Sequence, residues 1–144
     1  MEVYASADLT KSQIEAAYAL IAAFAPDISP DMWRKFCAGA LAASGKGSRI
    51  VVVTDPKGRL RGLAVAEATR GDEGANLFVP IFAPLSAADV PGITRALLDF
   101  LLAEARLRGC TDIHFGSLHP DSWTSYIASG TLPPPPGTMI RVPA

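Results

Sequence analysis

Apolar positions change their period several times along this chain, and each change marks an element. From 92 to 108 the period is helical: Ile93, Leu97, Phe100, Leu101 and Leu107 form a stripe that Ala96, Leu98, Leu102 and Ala105 widen. The polar side pairs Arg95 with Asp99 and Glu104 with Arg108, each four residues apart. Asp89 or a neighbour can cap the start, Pro91 suits a first turn, and Gly109 stops the helix. So wide an apolar face needs a sheet to lie on. Two helices are predicted earlier. Thr10-Lys11-Ser12-Gln13 reads as a capping box, followed by Ile14, Tyr18, Ile21 and Phe24 or Ala25 on one side, up to Pro26. Ser29-Pro30 opens the second, with Met32, Trp33, Phe36, Cys37, Ala40 and Leu41 on its apolar side and Gly45 at its end. A short helix over 122–129 closes at Gly130.

Elsewhere the period falls to two. Residues 49–54 are a β-branched run, Asp55-Pro56-Lys57-Gly58 a tight turn, and 59–69 the returning strand of a hairpin. On that strand Leu63, Val65 and Glu67 share one face and Ala64, Ala66 and Ala68 the other, so the alanine face admits a helix closely. The turn 70–74 leads to a strand over 76–83, and 112–116 is a parallel-type strand after the long helix. Short strands at 2–6 and 138–142 complete the order β-α-α-β-β-β-α-β-α-β. Residues 133–136 are four prolines, which enforce an extended loop because proline offers no N–H.

Composition narrows the class. A chain of 144 residues that is 49% apolar and 19% charged suits one soluble domain, 1–144, with a real core. A net charge of −1 and no basic block argue against nucleic acid as the main partner. The longest apolar run, 16–25, is half of what a membrane span needs, so no membrane is expected as a partner. Cys37 and Cys110 have neither C-x-x-C nor zinc spacing and read as reduced thiols of a cytoplasmic protein. No signal peptide is visible, and no residues have metal-ligand spacing.

The residues themselves offer several candidates for chemistry. A strand that feeds a loop at a helix N-terminus builds an anion site, because first-turn N–H groups point outward. Pro80 cannot donate a ladder hydrogen bond, so the 76–83 strand is expected to be irregular near its middle, or to lie at an edge. Glu67 is the only acidic residue in the middle of a predicted strand: a base, acting directly or through water, or a solvated outer-face residue. His114 alternates with Ile113 and Phe115, and is either turned into a cleft or hydrogen-bonded structure. Trp33, Phe36 and Trp123 are core or substrate wall.

The element order resembles the GNAT superfamily of N-acyltransferases, and the resemblance spans nearly the whole chain. Ala96-Leu97-Leu98 with 105–110 is similar to that family's central helix and its exit into the fifth strand. Tyr126-Ile127-Ala128-Ser129-Gly130 resembles its late Y-x-x-x-G segment, with Thr131 where Phe is usual. His119 falls seven residues before Tyr126, where many members place Asn, and either lines the cofactor slot or caps the helix after Pro120. The resemblance implies an α+β, three-layer fold: a mixed, twisted sheet with helices on both faces. It also implies an acetyl-CoA-dependent N-acetyltransferase. In that reading Tyr126 is the acid, Glu67 and His114 are further catalytic candidates, and Phe82, Ala83, Pro91, Gly92, Ile93, Thr94, Arg95 and His119 bind the co-substrate. Backbone groups of the fourth strand would hold the thioester carbonyl and pantetheine arm where strands four and five splay apart. Helices within 11–44 would wall the acceptor, a small-molecule or protein amine.

The phosphate loop departs from the family pattern. Asp89 stands where Arg or Gln is typical, Pro91 removes one N–H donor, and Thr94 adds bulk where a small residue is usual. Gly92 fits, Arg95 returns a positive charge, and the stretch from Pro84 runs about two residues long. These departures keep open an alternative: a catalytically inactive GNAT-like binding or dimerisation module with a degenerate CoA site. The proline-rich tail and last strand offer a surface on which two copies could pair.

Overall fold

The computed structural model describes residues 3–7, 9–43, 48–71, 74–84, 89–116, 120–129 and 139–143. Their order is β1 (Tyr4–Ala7), α1 (Lys11–Ala22), α2 (Pro30–Ala42), β2 (Ser48–Thr54), β3 (Leu60–Gly71), β4 (Gly74–Ala83), α3 (Val90–Leu107), β5 (Cys110–Phe115), α4 (Pro120–Ser129) and β6 (Met139–Arg141). This is the order expected from the sequence. One boundary differs by a turn. Helix α1 ends at Ala22 rather than at Pro26, because Phe24 is half exposed while Ala25 and Ile28 fold beneath the helix into the core. The Tyr18 hydroxyl holds that link by donating to the Ile28 carbonyl at 2.8 Å. The end expected at Gly45 lies outside the described residues.

The six strands lie in sequence order, β1 to β6, and every pair is antiparallel except β4–β5. Strand alternation divides the core into two layers. Leu63 and Val65 of β3, with Ile50, Val52, Ile81 and Ala83, face α1, α2 and α4. Ala64 and Ala66, with Val51, Val53, Leu77, Val79 and Ile113, face the buried stripe of α3: Ile93, Leu97, Leu101 and Ala105. The small side chains let α3 approach closely, as the sequence implied. The approach is close at Gly62, where an added Cβ would lie 2.8 Å from the Ile93 Cγ2 and 3.0 Å from the Ala83 carbonyl oxygen. At the other end of α3, the buried Glu104 accepts from the Nε groups of Arg108, at 2.6 Å, and Arg49, at 3.3 Å, which ties the helix to β2. No helix among the described residues is long and apolar enough to cross a membrane.

The β2–β3 turn fixes the hairpin through one buried carboxylate. Asp55 Oδ1 accepts from the backbone N–H groups of Lys57, at 2.9 Å, and Arg59, at 3.0 Å. Its Oδ2 accepts from Arg59 Nε and from both Nε and Nη2 of Arg61. Gly58 supplies the left-handed residue that the turn needs, at φ +77°. Burial alone would raise the Asp55 pKa. The donors from Arg59, Arg61 and Lys57 outweigh it and lower it from 3.8 to about 2. The native state therefore releases this proton more readily than the unfolded chain does. The stabilisation is present above the ordinary carboxyl value and is lost as pH falls toward 2. Thermal melts of Asp55→Asn are expected to lie below those of the native chain at neutral pH. The gap should close between about pH 4 and pH 2; a gap that persists undiminished at pH 2 contradicts this account.

Candidate active site

Strands β4 and β5 part beside Pro80. Their parallel pairing runs from Ala75↔Cys110 to Val79↔Phe115, and the Gly116 N–H adds a last bond to the Val79 carbonyl at 2.9 Å. Beyond that point Ile81, Phe82 and Ala83 pair only with β3 among the described residues. The β3–β4 register shifts between Val65 and Glu67, so β4 carries its irregularity at Val79–Pro80. Proline suits this place because it has no N–H to leave unpaired. The backbones still approach closely at this point: a Cβ on Gly116 would lie 3.3 Å from the Pro80 Cα. On the α3 side, Phe82 and Phe115 close the opening edge to face, with centroids 5.4 Å apart.

On the other side lies Glu67, opposite Phe78 in the register. It is therefore one residue back from Val79, where β4 ends its pairing with β5. The Tyr126 hydroxyl, from α4, donates to Glu67 Oε1 at 2.5 Å. Two of the catalytic candidates, 59 positions apart in sequence, are thus brought into contact. Tyr126 is buried and packs edge to face against Phe36 at 5.6 Å, and Phe36 stacks on the fully buried Trp33. Burial first, and then the Glu67 carboxylate as hydrogen-bond acceptor and negative charge, push the phenol well above its ordinary value of 10.0. Tyr126 is therefore a proton-bearing donor at neutral pH. The pair forms the base of a cleft of about 590 Å³ between α2 and α4, lined by Met32, Lys35, Phe36, Gly39, Ala40, Ala43, Ser48, Ile127 and Ala128.

Helix α3 begins with its own cap. Asp89 Oδ1 accepts from the Gly92 N–H at 3.1 Å, and the Asp89 carbonyl accepts from the Ile93 N–H at 3.0 Å. Pro91 has no N–H, so the first turn keeps only that of Val90 outside this cap. The carboxylate lies so near Gly92 that an added Cβ would collide with it. A phosphate at this terminus would have to displace a negative charge already in place. Among the described residues, those at this terminus do not fit the pyrophosphate of CoA. Of the other loop positions, Ile93 is buried in the core, Thr94 is half-buried, and Pro91 and Arg95 are exposed.

His114 lies on the Glu67 face but two strands away, paired with Phe78, which is itself paired with Glu67. That separation is about 10 Å, so His114 does not join the Tyr126–Glu67 pair. Phe82 turns toward α3 and Ala83 toward α1, both on the part of β4 that β5 leaves. His119 and residues 85–88 lie outside the described residues. Trp33 and Trp123 are core, and Phe36 is both core and cleft wall. Cys37 is buried, and burial pushes its thiol up to about 12, so it is no nucleophile. No group of three metal-binding side chains occurs among the described residues. The cleft residues Gly39 and Ala43 escaped the sequence reading. Their signal was faint: a glycine in a helix interior, where alanine would be about 1 kcal/mol better.

Folding binds the Tyr126 proton more tightly than the unfolded chain does. This stabilisation is present below about pH 10 and is lost as pH rises above it. Absorbance titration of the folded protein should leave the Tyr126 phenolate unformed until alkaline unfolding. Glu67→Gln should move that step to lower pH, and Tyr126→Phe should remove it; a Tyr126 phenolate that forms near its ordinary pH in the folded protein contradicts the burial.

No protein-family model matches the chain, and no curated protein matches its sequence. Solved structures do match. A GNAT-family acetyltransferase from Staphylococcus aureus superposes with TM-score 0.66 at 12% identity, covering 96% of this chain and 97% of its own. Glucosamine-6-phosphate N-acetyltransferase from Arabidopsis thaliana superposes with TM-score 0.67 at 9% identity, covering 96% and 98%. A predicted acetyltransferase from Clostridium acetobutylicum, solved with acetyl-CoA, superposes with TM-score 0.62 at 12% identity, covering 87% and 88%. Together with the six-stranded mixed sheet parted between β4 and β5, these likenesses give the chain the fold of the GNAT N-acyltransferases.

Proposed function

We propose that the chain is an N-acetyltransferase that moves an acetyl group from acetyl-CoA to a primary amine of a small molecule or protein. One observation carries this reading: the Tyr126–Glu67 hydrogen bond, at the base of a cleft and beside the parting of β4 and β5. An acid and a base are what aminolysis of a thioester requires. An ammonium group entering the cleft gives one proton to solvent. Its nitrogen then attacks the thioester carbon, and Glu67 takes the surplus proton as the N–C bond forms. The C–S bond breaks, and Tyr126 protonates the departing sulfur. Glu67 returns its proton to Tyr126 along their hydrogen bond, so both groups end as they began. The products are an amide, a thiol and one proton released to solvent.

A second reading is favoured by the Asp89 cap: a module of this fold without catalysis, used for binding or dimerisation. Calorimetry with acetyl-CoA and with S-acetylpantetheine separates the two. The enzyme reading predicts micromolar-range binding of acetyl-CoA, with the phosphate-free thioester weaker by no more than about tenfold, since α3 offers the pyrophosphate little. Asp89→Asn, which keeps a capping side chain but removes the charge, should widen acetyl-CoA's advantage. No heat from either thioester at millimolar concentration leaves only the second reading. In the enzyme, Tyr126→Phe should lower kcat by about 10²- to 10⁴-fold with little change in KM. Turnover unaltered across pH removes Tyr126 as the acid.

A further inference from the structure

The cleft above Glu67 has a composition that selects among amines. Its walls are Phe36, Gly39, Ala40, Ala43 and Ile127, all apolar and mostly small. Gly39 is exposed on α2, and the direction its Cβ would take is open, with no atom within 4 Å. Among the described residues that line it, Glu67 is the one carboxylate and Lys35 the one cation. Besides these, the described lining offers the Ser48 and Tyr126 hydroxyls as polar side-chain groups, and the Tyr126 hydroxyl already donates to Glu67.

We infer that the acceptor is a monoamine on a slim apolar body, such as an alkylamine or arylalkylamine. This rests on the acyltransferase reading above and narrows its acceptor. The apolar body gains by leaving water against the α2 and α4 walls. A single ammonium is matched by the single carboxylate, and an unpaired charge could not enter such a lining. A polyamine would bring its second charge toward Lys35, where like charges repel. An amino sugar would carry hydroxyls past Ala40, Ala43 and Ile127, whose side chains cannot hydrogen-bond them. A volume of about 590 Å³ accommodates a small amine together with water.

The test is calorimetric titration of the whole chain, without thioester, with hexylamine, phenethylamine, hexan-1-ol, glucosamine, spermidine and a lysine-bearing peptide. Hexylamine and phenethylamine should bind about tenfold or more tightly than any of the others, hexan-1-ol being penalised by the carboxylate it leaves unmatched. Gly39→Phe should abolish amine binding while the protein stays folded by far-UV circular dichroism. Glucosamine, spermidine or the peptide binding as tightly as hexylamine overturns the inference. So does amine binding that survives Gly39→Phe, or the absence of binding by both apolar amines. The two readings fail separately. Binding of apolar amines with no thioester bound would leave the acceptor class standing without the acetyl transfer. Thioester turnover with glucosamine as the best acceptor would do the reverse.

Discussion

The hydrogen bond from Tyr126 to Glu67 is the contact on which the rest of this account turns. It joins a helix late in the chain to a strand in its middle, and both partners depend on it. Tyr126 is buried, so its hydroxyl needs an acceptor. Glu67 is half-buried beside the cleft, where a hydroxyl donor replaces part of the water its carboxylate would bind. The bond meets both needs, and it does so where the sheet changes. One register step away, β4 loses β5 as its neighbour. A paired acid and base thus stand between a cleft walled by helices and an opening in the sheet.

The opening has a local cause. A proline in β4, a register shift opposite Glu67 and a glycine at the end of β5 act within a few residues of one another. Each weakens or bends a ladder that would otherwise continue. Phe82 and Phe115 then keep the α3 side closed, so the opening is a slot rather than a hole through the sheet. The start of α3 follows a different logic. Its cap stabilises the helix by about 0.5–2 kcal/mol in typical cases, and it does so with the charge least suited to phosphate. A helix terminus can satisfy its N–H groups internally or reserve them for a ligand. This chain has taken the first course, so in the proposed reaction the donor would be held by its acyl-bearing arm.

Much of the fold was legible because it rests on local rules. The alternation of Leu63, Val65 and Glu67 against Ala64, Ala66 and Ala68 assigned both faces of β3, and the alanine face does receive α3. Capping residues at Thr10, Ser29 and Asp89 marked three helix starts within two residues. The end of α1 was less legible, because tertiary burial of Ala25 and Ile28 overrode the helical period. The site was legible only in its parts. Tyr126, Glu67 and His114 were each named, but nothing local joins Tyr126 to Glu67 or sets His114 apart. That separation comes from strand register, which places Phe78 between them. Asp89 was readable as a cap and as a misplaced charge, yet only geometry shows that its carboxylate occupies the Gly92 N–H. Gly39 and Ala43 carried only the faint mark of a glycine inside a helix, because small apolar wall residues bring no chemistry of their own.

The central claim is that an acyl thioester enters between β4 and β5 and brings its carbonyl to the Tyr126–Glu67 pair. A crystal structure of the chain grown with S-acetylpantetheine tests it most directly, because that donor carries no phosphate to steer it elsewhere. The account predicts density for the arm along Ile81–Ala83, with the acetyl group beside Pro80 and its sulfur within reach of the Tyr126 hydroxyl. Density confined to another surface, or strands that stay closed around an arm bound elsewhere, would contradict it.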